Sequence, residues 1–281
     1  MIALIRMFLV IVAFYLIRNY KQVKHTFLYI RNKHRIEQVY HPLLSKHILF
    51  YTNLSNKGQS KFMKRVYLFQ KTKKFIGKDG VKITEELKCI ISASAVQLTF
   101  GLKNYLISHF NVIILYPQPF FSKVFKMRLK GSAARNGIIA FSLIDYYDAY
   151  LDDKDNLNLG LHEMAHAFEI DNQYNQKPEI NFDEWKKLTY TEFIYIKRGN
   201  ENWLRKYAAQ NTYEFFAVII ECFFESPEQM EHELPDVYYA TCALLNLDPR
   251  EKNNDYLLSE HRKKELKRKA FATLSIKRKV L

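Results

Sequence analysis

His162-Glu163-Met164-Ala165-His166 lies inside a segment, Asp153 to Ile170, that reads as a single helix. Leu157, Leu161, Met164, Ala165 and Phe168 recur at helical spacing, and Asp153 or Asp155 can cap the start. Residues four apart leave a helix on the same face, so the two imidazoles can converge on one metal ion while Glu163 reaches a water beside it. The chemistry so predicted is hydrolysis. The competing reading is two core histidines and a solvated glutamate on an amphipathic helix, and only a third ligand elsewhere in the chain separates the two.

A second apolar helix is expected from Asn211, through Thr-Tyr-Glu-Phe-Phe-Ala-Val-Ile-Ile-Glu-Cys-Phe-Phe-Glu, to a stop near Ser226-Pro227. Two carboxylates, Glu214 and Glu221, interrupt its greasy surface about two turns apart, so both point along one stripe. A buried carboxylate is costly unless it is paired or bound to metal. Glu214 therefore either closes a capping box with Asn211 or supplies the third ligand of a His-His-Glu site that leaves one position for water. Glu221 either orients a ligand histidine or makes a structural ion pair.

Several blocks in order carry a family resemblance. They are Leu115-Tyr116-Pro117-Gln118-Pro119-Phe120, the run Gly137 to Asp145, His162 to His166, the run Tyr207 to Val218, and Glu221-Cys222-Phe223-Phe224. In these the chain resembles the zinc peptidases typified by Mlc titration factor A, whose site is of the gluzincin type. The resemblance implies zinc held by His162, His166 and Glu214, with Glu163 as general base and Tyr207 stabilising the oxyanion. On residues alone, Tyr207 is as well explained by ordinary packing, being one of nineteen tyrosines. Two departures stand out. Glu169 occupies the position three after the second histidine where the family has aspartate, which leaves its supporting role in question. The stretch Phe121 to Arg135 lacks a histidine that some relatives place before the Gly137 strand.

The chain's start sets an expected location. Residues Met1 to Ile17 are apolar apart from Arg6 and, as a helix, would rise roughly 25 Å, so residues 1–20 read as a transmembrane anchor. Arg18, Lys21, Lys24, Arg31, Lys33 and Arg35 follow, making residues 21–40 a basic juxtamembrane segment. Together they predict a single-pass protein of the cytoplasmic membrane whose catalytic domain faces the cytoplasm. The alternative is a buried N-terminal helix. The three cysteines, Cys89, Cys222 and Cys242, have neither disulfide nor zinc-ribbon spacing and read as buried thiols.

The net charge of +14 gathers after the anchor and in a basic tail, residues 256–281. Beside a membrane such clusters read as contacts with anionic lipid; no nucleic-acid-reading motif accompanies them. With 281 residues, 48% hydrophobic, one core is expected, and residues 41–255 are assigned to the peptidase domain. Helices are expected at Ser60 to Phe75, Glu85 to His109 and Asp183 to Arg198, a polar loop at Asn172 to Pro178, and strands at Val112 to Tyr116 and Gly137 to Leu143. The fold class expected is α+β, a zincin-like metallopeptidase domain with an N-terminal transmembrane helix. The Gly137 strand is the candidate to hold an extended substrate, and the 47 residues between His166 and Glu214 are the candidate wall of the cleft. Two functions compete. One is a membrane-anchored zinc peptidase acting on peptides or proteins, with an aminopeptidase-like preference for short substrates implied by the resemblance. The other is a regulatory protein of the same fold that sequesters a partner such as a transcriptional repressor.

Overall fold

The computed structural model describes residues 2–18, 20–148, 156–176, 180–200 and 203–280. Asp153, Asp155 and Pro178 lie outside the described residues. In chain order the elements are α1 (Ile2–Arg18), α2 (Tyr20–His47), α3 (Leu49–Thr52), α4 (Asn56–Lys71), β1 (Lys74–Gly77), α5 (Glu85–Leu98), β2 (Val112–Tyr116), β3 (Phe120–Ser122), β4 (Met127–Leu129), β5 (Gly131–Ala134), β6 (Ile138–Ser142), α6 (Leu143–Asp148) and α7 (Leu159–Asn175). After them come α8 (Phe182–Lys197), a 3-10 turn at Lys206–Ala209, α9 (Thr212–Glu225), α10 (Pro227–Glu233), α11 (Pro235–Leu245), a second 3-10 turn at Lys252–Asn254 and α12 (Glu260–Val280).

This inventory corrects the expected α+β balance, because the protein is mostly helical around a small sheet. The strands are three to five residues long, whereas the apolar runs of α5, α7, α9 and α11 extend for three or more turns and supply far more of the core than the strands do. The four-stranded sheet has the order β1-β2-β6-β5. β2 pairs in parallel with β1 and β6, and β5 lies antiparallel on the other side of β6. The branched side chains of Val112 to Leu115 and Ile138 to Ile139 suit this pleated, half-buried surface. Gly137, at φ +83°, closes the turn between β5 and β6, where a Cβ would lie 2.7 Å from the His109 carbonyl.

β6 has partners on both edges, so it cannot accept an added strand. The outer strands are β1 and β5, and of these β5 is the one that packs beside α7, so the edge near the two histidines is that of β5 and not the Gly137 strand. α7 packs against both α5 and α9, and against β5, so the helix carrying the two histidines sits at the centre of the molecule.

The expected membrane span is also corrected. No helix among the described residues is long and apolar enough to cross a membrane. α1 has 17 residues and rises only about 26 Å, short of a ~30 Å hydrocarbon core, while α2 opens on the polar run Lys21 to His25. The single-pass location, its cytoplasm-facing topology and the lipid contacts drawn from them fall with the span. α2 instead packs along α4 and α5 through buried Tyr29, Ile36, Tyr40 and Leu44. The basic C-terminal residues form α12, which lays Leu266, Ala270 and Leu274 against the body, and Lys267 meets Glu184 of α8 at 2.5 Å.

Candidate metal centre

Asn158, not an aspartate, caps α7: its side-chain oxygen accepts the Leu161 N–H at 2.9 Å. One turn further on, His162 faces α9 and His166 follows on the same face. α9 begins at Asn211, whose side chain accepts the N–H groups of Tyr213 and Glu214 at 2.9 and 3.1 Å. The Glu214 carboxylate turns toward the two histidines rather than serving only the cap. His162 Nε2 lies 3.1 Å from His166 Nε2 and 3.1 Å from Glu214 Oε2, and His166 Nε2 lies 3.4 Å from that same oxygen. Among the described residues this is the one group of three acidic, histidine or cysteine side chains close enough to share an ion.

The spacings decide whether zinc fits. A tetrahedron with zinc–ligand bonds of about 2.0–2.1 Å has edges of about 3.3–3.4 Å, and the three observed edges lie at or just below that length. Two imidazole nitrogens and one carboxylate oxygen are also the donor set of a catalytic zinc site with one position left open. The residues fit the ion.

Glu221, two turns along α9, addresses the other nitrogen of the same ring: its Oε2 is 3.1 Å from His162 Nδ1. Its second oxygen accepts the Asn158 N–H at 2.9 Å, and Arg205 donates to Oε2 as well. One stripe of α9 thus grips both nitrogens of His162 and ties down the start of α7. Such a carboxylate–histidine arrangement sets the tautomer and the ring plane. Arg205 also lies 5.7 Å from the Tyr207 ring, so it couples the two walls of the site.

Burial pulls His162 toward its neutral form, but hydrogen bonds to Glu214 and Glu221 overcome this and push its pKa up to about 10. Burial acts upward on Glu214, yet its hydrogen bonds to His162 and His166 hold it down at about 2. Glu163 differs from both. It is buried, its Oε2 has no hydrogen-bond partner, and burial raises its pKa against the attraction of the two histidines. A carboxylate of raised basicity at a cavity wall is suited to accepting and returning a proton.

Space for that carboxylate comes from β5. A Cβ on Gly131 would lie 2.5 and 2.6 Å from Glu163 Cγ and Cδ, and closer still to Oε1. Gly131, Glu163, His162, Glu221, Arg205 and Tyr207 border one cavity of about 600 Å³, joined by Met127 to Lys130 from the β4 side and by Asp145, Asp148, Leu157 and Leu159. Tyr207 is 43% exposed, with its ring centroid 6.0 Å from that of His162. Burial of its hydroxyl, together with Glu214 and Glu163, pushes its pKa up to about 12, which keeps it a proton donor.

The remaining expectations divide. Glu169 does not reach the ligand atoms; it is buried and meets Lys186 of α8 at 2.8 Å. Of the segment between His166 and Glu214, Arg205 and Tyr207 border the cavity, whereas α8 packs on α11. Cys89, Cys222 and Cys242 are free and buried. Sequence reasoning missed Gly131, Asn158 and Arg205. A lone glycine opening the small-residue run Gly131-Ser132-Ala133-Ala134 was the available signal for the first, and nothing local marked the other two.

A metallopeptidase-type site on a helical scaffold agrees with the sequence comparisons. Residues 18–244 match the family described as glucose-regulated metallo-peptidase M90, and the chain belongs to that family. Among relatives, an uncharacterized protein of Synechocystis is 26% identical over 235 residues, covering 74% of this chain and 83% of the relative. Mlc titration factor A of Escherichia coli is 24% identical over 220 residues, covering 70% and 82%.

Proposed function

We propose that this protein is a zinc-dependent peptidase that hydrolyses peptide bonds in the cavity between β5 and α7. The observation that carries the reading is the convergence of His162 Nε2, His166 Nε2 and Glu214 Oε2 at zinc-ligand spacing beside a buried, unpartnered Glu163 oxygen. When bound, zinc supplies a Lewis acid that acidifies a water and polarises the scissile carbonyl.

The side chains account for the rest. Glu163 takes the proton of the attacking water and later returns it to the departing amine, the one carboxyl serving as base and then acid. Tyr207, protonated and at the cavity wall, donates its hydroxyl hydrogen toward the charge that develops on the carbonyl oxygen. Glu221 and Arg205 keep His162 in one tautomer and one plane, and the free edge of β5 aligns the substrate backbone. The relatives named for titrating Mlc make a purely binding role the competing reading. That role has no use for a basic carboxylate fitted against a bare glycine, so the geometry favours the enzyme.

Glu163→Gln tests the mechanism. The variant should retain one zinc per chain and lose at least about 10²-fold in turnover of a mixed peptide library. Undiminished turnover would exclude Glu163 as the base.

A further inference from the structure

Besides the exposed apolar side chains along α1 and α2, a second group occurs in the chain segments that border the cavity, with Met127 and Leu157 among the lining residues themselves. Phe121, Val124 and Phe125, exposed by 61, 84 and 63%, stand on the β3–β4 hairpin; Met127 follows on β4, and Ile144 and Leu157 stand out from α6 and the approach to α7. Contiguous apolar surface at one place on a protein marks a contact surface rather than chance exposure. The hairpin is held in position. Phe120 stacks on Tyr116 at 4.4 Å, Arg128 Nη1 donates to the Pro119 carbonyl at 2.8 Å, and Phe121 pairs with Arg128 across the two strands.

Resting on the peptidase reading above, we infer that this hairpin is an accessory docking surface for an extended, acidic and apolar stretch of a polypeptide substrate, lying beyond the residues cut. Charge names the partner. From Val112 to Ile144 the chain contains no aspartate or glutamate, and Lys123, Lys126 and Arg128 alternate with the apolar residues of the hairpin. Continuity names the role. β4 runs through Lys130 into β5, its residues Met127 to Leu129 border the cavity, and Gly131 abuts Glu163, so a chain laid on the hairpin is led to the general base. A surface made to face a membrane has no need to continue into the cleft.

Length sets the consequence. Val124 and Gly131 are seven residues apart, up to about 23 Å at ~3.3 Å per residue. A tetrapeptide bound at Glu163 spans only about 13 Å, little more than half of that limit, so a longer chain makes more of the contacts along the hairpin. The hairpin therefore distinguishes long substrates from short ones.

The test uses the full zinc-loaded chain and, as probe, fluorescein-labelled unfolded casein, which is both acidic and apolar. In the Glu163→Gln background, Phe121→Ser/Val124→Ser/Phe125→Ser should raise the casein Kd at least tenfold by anisotropy, and Lys123→Glu/Lys126→Glu should do the same at low salt. With Glu163 intact, the ratio of casein to tetrapeptide turnover should fall at least tenfold in the triple serine variant. Failure of casein to bind, or an unaltered Kd in both variants, overturns the inference. So does a hairpin-dependent binding of phosphatidylserine vesicles without an effect on casein, or a concentration-dependent dimer that the triple variant abolishes. If no peptide is cut by the intact protein, the peptidase reading fails, while the casein affinities still judge this surface by themselves.

Discussion

Gly131→Ala is the most discriminating change to the site, because the added atom meets the group thought to do the chemistry. The new Cβ would stand 2.5 and 2.6 Å from Glu163 Cγ and Cδ, where carbon atoms prefer about 3.5 Å, so the carboxyl must retreat by about 1 Å. Glu163 is a flexible side chain and β5 is backbone, so the carboxyl is what gives. Stability should fall only by the low end of an overpacking cost, about 1 kcal/mol, or a Tm lower by about 2–4 °C. Turnover should suffer far more, about 10²-fold, since a general base displaced by 1 Å no longer reaches its proton. Zinc content, read by elemental analysis, should stay at one per chain because no ligand is touched. A thermal cycle isolates the contact: in a Glu163→Ala background, Gly131→Ala should cost little stability, the clash having lost its partner. Wild-type turnover in Gly131→Ala, or equal destabilisation with and without the Glu163 side chain, would refute the reasoning.

Other expectations follow from the same geometry. His162→Ala and Glu214→Ala should each purify without stoichiometric zinc, and retention of the metal by either would break the proposed ligand set. Glu221→Ala should leave zinc able to bind but weaken it about 10–100-fold, measured by competition with a chelating dye, because His162 loses the carboxylate that orients it. In chelator-treated protein, the His162 value of about 10 stands above its ordinary 6.5. A raised folded value gives a stabilisation fully present below the unfolded pKa and lost as pH rises through the folded one. Denaturant titrations should therefore show stability declining from about pH 7 to about pH 10, and a His162→Gln variant that declines as steeply would contradict the assignment.

The helical content and the site differed in how openly the residues announced them. Helical spacing marked α7 and α9, and the branched run Val112 to Tyr116 marked β2 to the residue, because local periodicity reports which face an element buries. Boundaries were less legible: the helix expected to reach His109 ends at Leu98, and the loop expected from Asn172 is still α7 until Asn175. Capping chemistry, which stops a helix, competes with tertiary contacts that periodicity does not contain. The apolar start misled for a related reason, since hydropathy along 17 residues records greasiness but does not supply the length a span needs.

What the sequence determined by itself was the donor chemistry: two histidines on one turn, a glutamate beside them, and two more glutamates on one stripe of another helix. Those relations are set by the 3.6-residue repeat and hold in any fold that keeps the two helices. Only the tertiary structure decided that His162 lies between Glu214 and Glu221, that Arg205 pairs with the latter, that β5 and not β6 is the open edge near the two histidines, and that Gly131 makes room for the base. The side-chain contacts among these, and the β2–β6 pairing that encloses β6, join residues more than ten apart in the chain, fixed by how the helices and the sheet pack against one another, and no local pattern encodes packing of that kind.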